Sequence, residues 1–545
     1  MAVYVPGLVS VIVFYVIFLL LGLWAAWKSR KVTKNSEDVL LAGRSIGMLL
    51  GIFTMTATWV EGGFINGTAE GVYSGGLVGS QAPFAYSVCL AFSGFFFARR
   101  MRQNGYATII DPFQQKYGDM MGALLYIISL SGDVFVVAAI LGALGSTLSV
   151  VLNIDYNISV IVAACVAVLY TFFGGLFSVA YTDVLQLIFM FFGVWLIIPF
   201  AISNDAVRDL STNYTDVWVK ELDPSTAGVY IDGWLQMILG AIPWQVYFQR
   251  VLAAKSAYIA ELLSYLGVIG CFIVVIPSLL VGIIATQTDW SMTTYMSGNS
   301  SMLADEDIPL VLPLVMEHLC PKAVALFGLG AVAAAVMSSV DSAVLSSSGQ
   351  FSRNVYKRII RKTASEREQI WVLRASTIVF GVIATSVSIY VRSIYALWVL
   401  CSDIIYVILF PQLTCAIYFS SANTYGSLVA FIVGLFFRVA GGEITLGLDP
   451  IIKYPWHKVD DDGTVVQLFP HKTLSMLLSL FSLLFVSWFT NWLFDNGILS
   501  PKFDILRKHS RTKYKNKYVI STSDASDVKE LGSYKINAAF TTDSF

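Results

Sequence analysis

A few aromatic rings, one carboxylate and a run of hydroxyls interrupt otherwise apolar stretches of this 545-residue chain. "TWVEGGFING", residues 58–67, sets Trp59 and Glu61 beside paired glycines. A charge in hydrocarbon costs about 2.5–3.5 kcal/mol on insertion scales, and glycine weakens a helix. "GAIPW", residues 240–244, puts Trp244 directly after Pro243, which lacks the amide donor a helix needs. Tyr86 follows Pro83, and Trp398 lies in a later apolar stretch with Tyr406. A ring face attracts a desolvated cation by about 2 kcal/mol or more, and quaternary ammonium groups are typical guests. Taken singly, each ring could equally be helix packing.

The segment "AVMSSVDSAVLSSS", 335–348, suggests a second chemistry. Hydroxyls of Ser338 and Ser339 are hard oxygen ligands of the kind Na⁺ takes, and unwound backbone near Thr56 and Trp59 would add carbonyls. Asp341 lies one turn from Ser338 on the same face. Serines also pack helices together, so the neighbouring acid decides the reading. Acids at membrane depth are site candidates by default, here Glu61, Asp133, Asp183, Asp341 and Asp403. Asp183 and Asp403 lie nearer helix ends, where structural roles weigh more.

The elements that must hold these groups are membrane helices. The chain is 56% hydrophobic and 13% charged, about half the charge of a soluble protein. Apolar stretches near 20 residues predict an all-α polytopic protein with spans at 6–27, 46–72, 77–98, 120–151, 158–176, 181–202, 231–250, 259–285, 322–350, 370–391, 394–418, 424–441 and 472–496. Segment 6–27 is too long for a signal-peptide core and has no small-residue cleavage site, so it counts as a span. Five of the six cysteines fall in predicted helices, which is no disulfide framework. The four histidines have no metal spacing, and P-loop, GxGxxG and GxSxG motifs are absent. This argues against an enzyme and implies no cofactor. A net charge of −1 gives no sign of nucleic acid as a partner.

Thirteen spans place the termini on opposite sides. Loops and helix ends on one side hold 27 of the 35 Lys and Arg, so that side is cytoplasmic and the N-terminus is outside. The sequons at Asn213 and Asn299 fall in loops assigned outside, which makes both glycosylation candidates. Breaks in the second and seventh spans are five spans apart, so the broken helices run in opposite directions. That is the mark of an inverted five-helix repeat with a site at the midplane. The organisation expected is an extracellular N-terminus (1–5), a peripheral helix (6–27), repeats at 46–202 and 231–418, two peripheral helices within 424–496, and a cytoplasmic tail (497–545).

Several long motifs in order, "FTMTATW", "GGFINGTAE", "DPFQQKYG", "GGLFSVAYTDVLQ", "IPWQVYFQRVL", "GLGAVAAAVMSSVDS" and "SDIIYVILFPQL", make the chain resemble the sodium/solute symporter family up to about residue 500. Within that family it is most similar to the choline-importing members. The resemblance implies about thirteen helices in a LeuT-like 5+5 inverted repeat. It also implies Na⁺-coupled, chloride-dependent import of choline for acetylcholine synthesis at the presynaptic plasma membrane of cholinergic neurons. The family's sodium site falls on backbone oxygens of Thr56, Trp59 and Ala335 and hydroxyls of Ser338 and Ser339. Asp183, in "YTD", becomes a candidate for a further ion or the inner gate, and Asp341, on the Ser338 face, is a second candidate for ion coupling or gating. The choline cage falls on Trp59, Tyr86, Trp244 and Trp398. Two departures stand out. The resembling transporters carry a further cage tryptophan where this chain has Val136, and glycine where it has Glu61. Glu61 then joins the expected substrate site, holding a cation by charge in place of a lost ring. A symporter for another small organic cation or solute is the alternative, and a non-transporting sodium-gated sensor is the alternative of another class.

Overall fold

The computed structural model describes residues 4–29, 40–173, 176–295, 301–460 and 463–506. Helices dominate the described residues, which hold one short hairpin, Lys458–Val459 against Val465–Val466. Among the described residues nine helices are long and apolar enough to cross a membrane. A bent pair makes a tenth crossing: α2 (Met48–Trp59) and α3 (Gly62–Gly79), set at 45° to each other. Three more predicted spans fall on shorter or interrupted helices: α7 (Tyr156–Phe173), the pair α9 (Ala227–Gly240) and α10 (Gln245–Ala253), and α17 (Thr424–Ala440). The predicted third span begins too early. Helix α3 kinks at Gly76 (φ 70°) and ends at Gly79, and α4 (Ala82–Ser93) starts only after the break at Ser80–Gln81, with Pro83 in its first turn.

Burial sorts the helices into centre and rim. Of the most apolar 18 residues, 83% are buried in α6 (Asp119–Leu152) and 71% in α13 (Lys322–Gln350 with its continuation to Ile360). The value is 28–29% in α1 (Val5–Ser29), α14 (Glu366–Tyr390) and α18 (His471–Asp495). Helices apolar all round suit a membrane, and those with exposed apolar faces are the ones that meet lipid. The broken helices sit among the central ones. α3 packs against α6, α11 (Ala257–Gln287) and α15 (Ile394–Cys401), while α2 packs against α8 (Leu176–Ile202) and α11.

Local chemistry explains both breaks. The Val60 amide closes α2 on the Thr56 carbonyl at 2.9 Å, and Glu61 is extended before α3 starts. At the second break Trp244 is extended after Pro243, and α10 begins as the Phe248 amide bonds to the Trp244 carbonyl at 3.2 Å. Unwound backbone of this kind is tolerated at membrane depth only where protein or a cavity surrounds it.

Candidate functional site

The four predicted cage rings meet at the two breaks. Trp59 ends α2 and stacks on Tyr86 of α4, with ring centroids 4.6 Å apart and planes 20° apart. Its indole N–H donates to the Tyr86 carbonyl at 2.7 Å, which fixes the ring's tilt. Trp244 stands edge-on to Trp59 at 5.2 Å and tilted to Tyr86 at 6.1 Å. Trp398 of α15 meets Tyr86 edge-on at 5.3 Å. None of the four is more than 6% exposed, which makes this a desolvated aromatic cluster rather than an interfacial belt. Sequence reading misses Phe64, whose ring lies 5.8 Å from Trp398. Tyr406, by contrast, points its hydroxyl away to Thr473 at 3.1 Å.

The glycines beside Glu61 allow this approach. A Cβ on Gly63 would stand 2.8 Å from Trp398 Cγ and 3.0 Å from its Cβ. The ring is fully buried and cannot retreat, and overpacking of this sort costs about 1–3 kcal/mol. Gly63→Ala is therefore expected to push Trp398 off Tyr86 and raise the half-saturation for cargo roughly tenfold. Saturation of tracer uptake, scaled to surface-labelled protein, measures this. An unchanged half-saturation would remove Trp398 from the site.

Two carboxylates reach the cluster, each differently satisfied. Asp133 of α6 accepts the Trp244 indole N–H at 3.1 Å and the Ser347 hydroxyl at 2.8 Å, so it orients one cage ring from the neighbouring helix. Val136, fully buried, lies one turn further along that face. Glu61 is 1% exposed, and neither of its oxygens has a hydrogen-bond partner among the described residues. Tyr86 and Cys401 are its electrostatic neighbours.

The helix that carries the expected sodium ligands Ala335 and Ser339 passes beside the first break. A Cβ on Gly62 would lie 2.9 Å from Val336, the neighbour of Ala335, so α13 abuts the start of α3 there. The Thr56 carbonyl accepts one amide hydrogen bond, which leaves a lone pair available. Ser339 is buried on α13, and the side chain of Ser338 lies outside the described residues. Asp341 is 1% exposed. From α8, Gln186 donates to the Ala334 carbonyl at 2.9 Å, tying the third wall to the same turn.

Polar clamps lie on both sides of the cluster. Towards the basic side, Asp183 of α8 accepts the Thr54 hydroxyl of α2 at 2.5 Å and pairs with Arg250 of α10 at 3.3 Å. Arg250 also donates to Ser342 of α13 at 2.7 Å, so four helices share this network. Towards the other side, Glu70 of α3 caps α15, accepting the Ser393 hydroxyl at 2.5 Å and the Ile394 and Tyr395 amides at 2.9 and 3.0 Å. A carboxylate at a helix N-terminus meets free amides and the positive end of the dipole. Sequence reading passes over Glu70 and Arg250, and over Asp232, which accepts the Lys472 and Thr473 amides at 2.9 and 2.7 Å, although charged residues inside predicted spans are themselves the signal. Asp403 takes a structural place: Arg438 holds both of its oxygens, and Lys472 lies 3.0 Å away. Asn213 is exposed on its loop, whereas Asn299 lies outside the described residues.

A model of the sodium:solute symporter family matches residues 39–434. The chain belongs to that family. The symporter is 51% identical to the high-affinity choline transporter 1 of Drosophila melanogaster over 504 residues, covering 92% of this chain and 81% of that protein. It is 47% identical to the human high affinity choline transporter 1, covering 93% and 88%. A Na⁺-coupled sialic acid symporter in a substrate-bound outward-open state matches with a TM-score of 0.69 at 17% identity, over 89% of this chain and 97% of that one. That likeness shows a shared fold. Membership of the family makes the chain a multi-pass, sodium-coupled transporter and not an enzyme.

Proposed function

We propose that this symporter imports choline, held by Trp59, Tyr86, Trp244 and Trp398 at the two helix breaks with Glu61 beside them. One observation carries the reading: four rings and a carboxylate with no hydrogen-bond partner among the described residues, all buried beside the two breaks. The likeness to choline transporters at about half identity supports choline as the cargo. Sodium would sit on the Thr56, Trp59 and Ala335 carbonyls and the Ser338 and Ser339 hydroxyls, joining α2 to α13 when bound. Asp183 and Asp341 would couple that ion to the inner gate. Thirteen spans, ten of them in two inverted five-helix repeats, with an outside N-terminus and glycans on Asn213 and Asn299, complete the arrangement. From the resemblance we add chloride dependence and a place at cholinergic terminals supplying acetylcholine synthesis. Both Na⁺ and a cationic cargo would be drawn inward, each gaining about 2.3 kcal/mol per 100 mV.

Radiolabelled choline uptake in expressing cells, with sodium replaced by lithium, tests the reading. Uptake is expected to fall at least tenfold without sodium. Sodium-dependent current with no tracer uptake would favour the sensor, and uptake of another cation uninhibited by choline would favour a changed cargo.

Replacing Ser338 and Ser339 together by alanine removes two oxygen ligands with little change in size. Apparent sodium affinity should drop roughly tenfold or more while surface expression holds. A double variant with the wild-type sodium curve would move the ion elsewhere.

A further inference from the structure

The polar groups lining the cage ask for more than a quaternary head. Besides both oxygens of Glu61, the Tyr86 hydroxyl and the Trp398 indole N–H are buried with no hydrogen-bond partner among the described residues. All three side chains are at most 1% exposed. Burying such groups unsatisfied is expensive, and a charge more so than a dipole. Three cations held within the described helices are already engaged: Arg250 with Asp183, and Arg438 and Lys472 with Asp403. Asp133, the other acid of the cage, already accepts from Trp244 and Ser347. Neither of the titratable groups coupled to Glu61, Tyr86 and Cys401, brings a positive charge. A cationic cargo is what would supply both countercharge and donor.

A fully alkylated nitrogen supplies the charge but no N–H. It keeps the carboxylate at the distance of its methyl groups and leaves both acceptor oxygens unmet. A protonated tertiary amine has nearly the same shape and offers one N–H, which makes a charge-assisted hydrogen bond. Its ring contacts survive, because cation–π attraction does not need the fourth alkyl group. The Tyr86 O–H and the Trp398 N–H are donors, and the oxygen of an alcohol two carbons away is an acceptor for either.

We infer that Glu61 tunes this cage towards amino alcohols whose nitrogen carries a proton, of which dimethylethanolamine is the nearest to choline. The inference rests on the proposed cargo site. Sites built to hydrogen-bond a cargo N–H discriminate strongly against analogues that lack it, because their own buried groups are then left unpaired.

The test compares radiolabelled choline and dimethylethanolamine in cells expressing the full chain, as wild type and as Glu61→Gln, with surface protein measured alongside. Wild type should take dimethylethanolamine with a half-saturation tenfold or more below that for choline. Glu61→Gln should weaken both cargoes and narrow the gap between them severalfold, since the amide keeps an acceptor oxygen but loses the charge that makes the N–H bond roughly twice as strong. Saturable choline uptake with the same cargo ratio in both proteins overturns the inference and leaves the choline site standing. No saturable uptake of either cation by surface-expressed wild type overturns both. A readout independent of the variant is the melting temperature of the purified full-length wild type in sodium-containing detergent. Dimethylethanolamine should raise it more than equal choline does, and the reverse order counts against the inference.

Discussion

Trp244→Ala is expected to abolish saturable choline uptake, whereas Trp244→Phe should keep part of it. The indole does two things in this site. Its face stands 5.2 Å from Trp59 and 6.1 Å from Tyr86, forming one wall of the cluster, and its N–H donates to Asp133 at 3.1 Å. Alanine removes the wall and the donor. The lost ring face is worth about 2 kcal/mol for a desolvated cation, roughly thirtyfold in affinity, before any cavity opens. Phenylalanine restores a weaker face but leaves one Asp133 oxygen without its donor, so it should recover only part. Asp133→Asn separates the two contributions. It keeps an acceptor for the indole with the ring in place, and should cost less than Trp244→Ala. Tracer uptake against cargo concentration, scaled to surface protein, reads all three. If alanine and phenylalanine behave alike, Trp244 serves only to hold α10 against α6.

The site's ingredients were legible because membrane helices make their exceptions conspicuous. Glu61 with two glycines, and Pro243 before Trp244, break an otherwise uniform apolar pattern, and both breaks appear where those residues stand. The rings followed from the same contrast, with Phe64 lost because an apolar aromatic in an apolar helix raises no flag. Partners across helices were a different matter. Periodicity tells which face of its own helix a residue occupies, but not which helix faces it. Trp244 meets Asp133 across 111 positions, Arg250 meets Asp183 across 67, and Glu70 meets the Ile394 amide across 324. Asp403 shows the cost of this blindness. Its place near a helix end was visible, while the Arg438 that neutralises it lies on a peripheral helix.

Breaking the Asp183–Arg250 pair should give the largest loss of stability outside the cage. Arg250 is fully buried and Asp183 is 3% exposed, with 3.3 Å between nitrogen and oxygen. Two buried ions pay heavily for desolvation, and their mutual attraction repays it only while both are present. Removing one partner leaves the other as an uncompensated buried charge, at a cost of about 3–5 kcal/mol. Asp183→Ala also strips the acceptor from Thr54, and Arg250→Ala strips the donor from Ser342, so each single variant loosens α2, α8, α10 and α13 together. The double variant leaves no stranded charge. It should melt at a higher temperature than either single variant, and its loss should fall well short of their sum. Thermal unfolding of purified protein in detergent, alongside uptake, checks the prediction. If the double variant loses about as much as the two singles combined, the residues act independently. The clamp on the basic side would then rest on the Thr54 and Ser342 hydroxyls rather than on the ion pair.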